Sequence, residues 1–192
     1  MKLRLIALAA ALCFGTGCDL YPDLDASSVS ADNLTYDSSL FTKGSDDYGS
    51  YLKGSGVITH KTKLSDSGEA VRIELLLSFN ASSSTVTVLS HASDDLSSAF
   101  ELTLTRQSDS LRATAELEGE SKSLGIIADD VSDWSAPLTI TVSVDNSGDK
   151  PTLSVTASNT KTYTPDDGYP EGTTIALSGS NYSVYTFNVL EQ

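Results

Sequence analysis

Three aspartates within five residues, Asp129, Asp130 and Asp133, are the densest metal-ligating group in this 192-residue chain. Calcium takes six to eight oxygens, and loop carboxylates with backbone carbonyls supply them. Asp46-Asp47, Asp94-Asp95 and Asp166-Asp167 are loop pairs of the same kind, and none of the groups has EF-hand spacing. Calcium at Asp129, Asp130 and Asp133 is therefore the one cofactor the residues suggest, against the alternative of a solvated acidic turn. A second chemistry belongs to the aromatics. Tyr163, Tyr169, Tyr182 and Tyr185 gather around the turn Pro165-Asp166-Asp167-Gly168. Exposed aromatic faces with a few polar neighbours suit sugar binding. Tyr163, Tyr169 and Tyr182 are thus the candidate ligand-binding residues, against half-buried packing as the alternative. His60 and His91, the two histidines, fall near strand ends and read as surface or loop residues. No Gly-x-Ser-x-Gly elbow is present to position a nucleophile.

Composition narrows the classes further. Lys and Arg number 12 against 26 Asp and Glu, a formal charge of −14 and a pI near 4.2. Nucleic-acid affinity comes from neutralising phosphates with basic residues, so that partner is excluded. Two Cys and two His make no zinc site unless all four converge.

The first 17 residues read as an address. Lys2 and Arg4 precede an apolar run from Leu5 to Phe14, too short to cross a hydrocarbon core of about 30 Å. The run ends in Gly15-Thr16-Gly17-Cys18, which resembles the lipobox of bacterial lipoproteins, although Gly15 stands where an aliphatic residue is usual. The resemblance implies lipidation at Cys18 and attachment to a membrane through that lipid. An ordinary secretory signal cut near Gly17 is the alternative. Cys13 would leave with the signal, so the remaining chain has no disulfide and is held by its core. Asp19 resembles the signal that retains lipoproteins of enteric bacteria in the inner membrane. Its periplasmic face therefore stays open beside the favoured outer membrane or cell surface.

The elements that must position these groups are strands. Residues 18–39 are acidic and Ser-rich and read as a tether, with docking of Leu34 to Leu40 as an edge strand the alternative. The domain then spans 40–192. Five runs alternate with period two: Val71 to Phe79, Phe100 to Thr105, Leu111 to Leu117, Leu138 to Val144, and Leu153 to Ala157. Such runs give strands with one buried and one wet face. The best helical segment, Ala92 to Ser98, is poor. The fold expected is all-β: an antiparallel two-sheet sandwich or jelly roll. Its inward set includes Val71, Ile73, Leu75, Leu77, Phe100, Leu102, Leu104, Ile140, Val142 and Val155.

The order of these signals resembles the laminin-G and concanavalin-A-like jelly-roll superfamily. Tyr48 to Leu52 is similar to its opening strand, Val71 to Phe79 to its long second strand, and Thr85 to Ser90 to the next. Phe100 to Thr105 with Ser110 to Leu117 resembles the following hairpin. Trp134 stands before a strand as in the family, but Ser135-Ala136-Pro137 replaces the usual His after it. An immunoglobulin-like sandwich is the alternative. The resemblance implies rim loops able to hold calcium. Glycoside hydrolases of this class carry two Glu flanking an Asp on one strand. The nearest segment here, Glu116-Leu117-Glu118-Gly119-Glu120, has Leu117 at the central position and Gly119-Glu120 entering a turn. The expectation is therefore a lipid-anchored envelope protein whose β-sandwich recognises glycan or protein without catalysis. A structural or assembly lipoprotein and, more remotely, a glycoside hydrolase are the alternatives.

Overall fold

The period-two runs all lie in strands, and further strands appear between them. The computed structural model describes residues 33–192, apart from 69, 146–149 and 167–170. Among these the strands are β1 (Leu34–Tyr36), β2 (Phe41–Asp46), β3 (Gly49–His60), β4 (Val71–Phe79), β5 (Thr85–Ala92) and β6 (Phe100–Gln107). They continue with β7 (Ser110–Leu117), β8 (Glu120–Ala128), β9 (Leu138–Asp145), β10 (Thr152–Thr156), β11 (Thr160–Tyr163) and β12 (Thr174–Glu191). Every pairing is antiparallel.

The sheet runs β11-β10-β9-β4-β12-β5-β6-β7-β8, with β3 joining β12 and carrying β1 and β2. β12 divides it into two layers. On one side β12 follows β3 from Ala176 to Val184. On the other it pairs with β5 from Thr174 to Ser180, then with β4 from Tyr182 to Glu191. Asn181, with φ 52°, stands at the changeover. Its carbonyl accepts from the Asn80 amide at 2.8 Å and the Ser84 hydroxyl at 2.7 Å, which pins the β4–β5 connection into the fork. The far ends of the path meet where the Asn159 amide donates to the Ile127 carbonyl at 2.8 Å.

All ten residues of the expected inward set are buried in one hydrophobic cluster. Alternation works here because each pleat sends successive side chains to opposite faces, and the apolar set fills the space between the layers.

One expectation changes. Residues 33–39 do not belong to a tether, because Leu34 to Tyr36 pair with His60, Thr59 and Ile58, and Leu34 is buried. The docked edge strand is what forms, driven by burial of Leu34 and by Tyr36 meeting Phe41 edge-on at 5.9 Å. Ala92 to Ser98 is not helical. The Ser93 hydroxyl and both donors of Ser97 turn to the Asp95 carboxylate, and Leu96 adopts φ 59°. Ser and Asp side chains compete in this way with helical hydrogen bonding. The signal segment, Cys18 and the tether up to residue 32 lie outside the described residues.

Candidate functional site

Burial of alternate residues leaves the outer face of the β5–β8 layer coated with hydroxyls. In register across the strands lie Ser178, Thr87, Thr103, Thr114 and Ser123. Thr87 and Thr103 share a hydrogen bond of 2.9 Å. One row away, Glu101 stands directly opposite Glu116, flanked by Leu89 on β5 and Ser121 on β8. Partial burial, and then the charge of Glu116, raise the Glu101 carboxyl above its ordinary range. Glu118 and Glu120 do not join this pair. Glu118-Gly119, at φ 50° and 84°, form the two-residue turn between β7 and β8, as left-handed hairpin geometry requires.

The same turn opens onto a cleft of about 430 Å³ between β8 and β11. Its walls are Glu120, Ser121, Lys122, Tyr163, Thr164 and Asp166. Tyr163 is half-buried, and its ring meets the buried Phe100 edge-on at 6.2 Å. Burial, followed by the charges of Glu120 and Asp166, raises its phenol. Asp166 also pairs with Lys150 at 3.3 Å across an exposed edge. An aromatic ring held from beneath and surrounded by carboxylates, hydroxyls and an ammonium can take a sugar ring by stacking and hydrogen bonding. A second cleft, of about 520 Å³, lies at the same end of the sandwich between Ala92–Ser98, Glu118 and the 171–173 segment.

The other predicted residues fare differently. Tyr169 lies outside the described residues. Tyr182 is no surface ligand group: it is fully buried, meets Phe41 at 5.9 Å and donates its hydroxyl to the Gly56 carbonyl at 3.2 Å. The fork turns it into the core, where burial raises its phenol far above the usual range. Tyr185 joins Asp46 and Tyr51 rather than Tyr163.

Asp129, Asp130 and Asp133 do not converge, and no group of three such ligands forms among the described residues. Asp129 and Asp133 each bond locally. The Asp129 carboxylate accepts from the Asp130 amide at 3.1 Å. That of Asp133 accepts from the Ser135 hydroxyl at 2.6 Å and amide at 2.9 Å, which holds its carboxyl below the ordinary range. The loop is held instead by Trp134, which donates to the Ser108 carbonyl at 2.9 Å and lies under the Arg106 guanidinium at 4.6 Å. Both histidines are buried rather than exposed. His60 packs on Phe187 at 5.3 Å and His91 bonds Ser90 at 2.8 Å.

One cluster went unread in the sequence. The Asp46 carboxylate accepts from the Tyr48 amide at 2.9 Å and the Tyr185 hydroxyl at 2.7 Å, and the Tyr51 ring lies tilted against Tyr185 at 5.2 Å. The run Asp46-Asp47-Tyr48-Gly49-Ser50-Tyr51 was the visible half; its partner is 139 residues away from Asp46.

Solved structures share this architecture at low sequence identity. A carbohydrate-binding module from Bacillus subtilis matches with a TM-score of 0.50 and 12% identity, over 79% of this chain and 91% of its own. An alginate lyase from Pseudomonas aeruginosa matches at 0.56 and 13%, over 82% and 88%. A legume lectin-like domain from Entamoeba histolytica matches at 0.53 and 11%, over 83% and 90%. No family model and no curated protein sequence matches the chain. With identities this low the likeness speaks for the fold alone, an antiparallel β-sandwich of the jelly-roll kind.

Proposed function

We propose that this protein is a lipid-anchored, non-catalytic recognition module that binds glycan at the bacterial cell envelope, on the outer membrane or cell surface. The observation that carries the binding role is the cleft holding Tyr163 among Glu120, Ser121, Lys122 and Asp166. Its size falls in the range of small-ligand sites, roughly 300–1,000 Å³. The carbohydrate-binding module and the lectin-like domain, matched over most of their length, support the same reading. The Glu118-Gly119 turn weighs against the glycoside-hydrolase alternative. It keeps Glu118 and Glu120 off the strand that carries Glu116, so paired acids on one strand are not assembled.

Screening on a glycan array tests the binding role. Binding should survive chelation of calcium, and Tyr163→Ala should weaken it about tenfold or more, the loss of roughly 1.4 kcal/mol. Unchanged binding by Tyr163→Ala would move the site elsewhere. The anchor rests on the positive, apolar and cysteine-terminated start of the chain. Cys18→Ser should abolish labelling by a fatty-acid analogue and release the protein from membranes. A wild-type protein that takes up no label is not lipid-anchored.

A further inference from the structure

We propose that the β2–β3 hairpin carries a second sugar-binding surface, where Tyr48 and Tyr51 receive a ring of a neutral glycan and Asp46 accepts its hydroxyl hydrogens. It extends the glycan reading to a separate place in the fold. The surface is assembled from three strands. Gly44 lies directly opposite Tyr51, and Asp46 opposite Gly49, so Gly44, Asp46 and Tyr51 share one face of the hairpin. A Cβ at Gly44 would stand 2.5 Å from Cζ of Tyr51; the missing side chain lets the Tyr51 ring lie down on the edge strand. Tyr185, buried, backs that ring. Tyr48 projects at the tip and is 46% exposed, one of few large apolar side chains left in water.

The polar part is equally fixed. Each Asp46 oxygen takes one donor from the protein, the Tyr48 amide and the Tyr185 hydroxyl respectively. An ionised carboxylate offers about four acceptor sites. Asp46 is exposed, so the remaining sites face solvent in a set orientation. The held Tyr51 ring, with the exposed Tyr48 at the tip and an oriented acceptor beside them, complements a sugar, which offers apolar C–H faces and hydroxyl donors. Adjacent Asp46 and Asp47 disfavour uronates and other anionic sugars. Tyr163 and this hairpin stand on different strands, β11 and β2–β3, so the two surfaces can be probed separately.

Amide chemical shifts of the 15N-labelled full chain separate the two sites. The probes are millimolar cello-, xylo-, manno- and fructo-oligosaccharides, with choline as a cationic control. The expected result is that one sugar series shifts the amides of Gly44, Asp46, Tyr48 and Gly49. Tyr48→Ala, at an exposed turn, and Asp46→Asn, of the same shape, should each remove those shifts while sparing any at Glu120 to Lys122 and Tyr163. Shifts confined to the Tyr163 cleft overturn the second surface and leave the first. Shifts at the hairpin alone uphold the second surface and remove the first. A response to choline but to no sugar, or no response at the hairpin, overturns it.

Discussion

His60 and Glu101 are held off their ordinary titration ranges by the same sheet, in opposite senses for stability. Burial lowers His60 below its usual 6.5, with the Thr62 carbonyl opposing that effect only in part. The folded state therefore resists a proton that the unfolded chain accepts, and stability falls as pH drops below about 6.5. Glu101 is raised by burial and by Glu116, so it costs stability at neutral pH and regains it as pH falls through its folded value. His60→Gln should thus flatten the loss of melting temperature between pH 7 and 5.5, if the variant keeps its bond to Thr62. Glu101→Gln should raise the melting temperature at pH 7 and narrow its gain on acidification. Equal pH slopes in variants and wild type would reject both assignments. At this scale the chain was only partly legible. Tyr163 and Tyr182 look alike in the sequence, yet Tyr163 is half-buried against Phe100 while Tyr182 is fully buried. The depth of Tyr182 depends on the β12 fork, set by partners far along the chain.

At the scale of elements, periodicity carried the reading wherever one phase persists. β4, β6, β7, β9 and β10 alternate over most of their length and hold nearly all of the expected runs. β12 hid because its phase slips. Its pairing shifts between Gly179 and Tyr182 against β3, and between Val184 and Thr186 against β4. Each bulge sends the following side chains to the other face, so no single alternating pattern spans its 18 residues. The β7–β8 connection was better marked, since Gly119 at φ 84° is what a two-residue hairpin of this kind demands. Gly119→Ala should therefore cost about 1 kcal/mol or more in urea unfolding, because left-handed geometry penalises any Cβ. Space is not the obstacle: nothing lies within 4 Å of where that Cβ would be. A neutral effect would mean that the turn relaxes to another geometry. The same accounting explains the Asp129 to Asp133 loop. Its acids looked like a converging set in one dimension, but those of Asp129 and Asp133 turn to local backbone amides instead.

For the whole molecule, the order in which the chain is written matters as much as its final shape. β12 lies between β4 and β5 on one side and β3 on the other, yet it is synthesised after all three. While the ribosome is still short of Thr174, neither layer has its shared middle strand. The inner edges of β3, β4 and β5 then expose unpaired amides and carbonyls, the template on which strands of neighbouring molecules add. Closure waits for contacts between segments more than a hundred residues apart, such as Asn181 with Ser55. Loop-closure entropy of that kind slows folding. A chain stopped before Thr174 should therefore give aggregates rather than a smaller sandwich, visible by light scattering and loss of a cooperative melting transition. A soluble, cooperatively melting product would show that the two layers fold independently. The strand that makes this a single body follows β3, β4 and β5 in the chain, so nascent copies crowded on one message should stay prone to cross-pairing until it emerges.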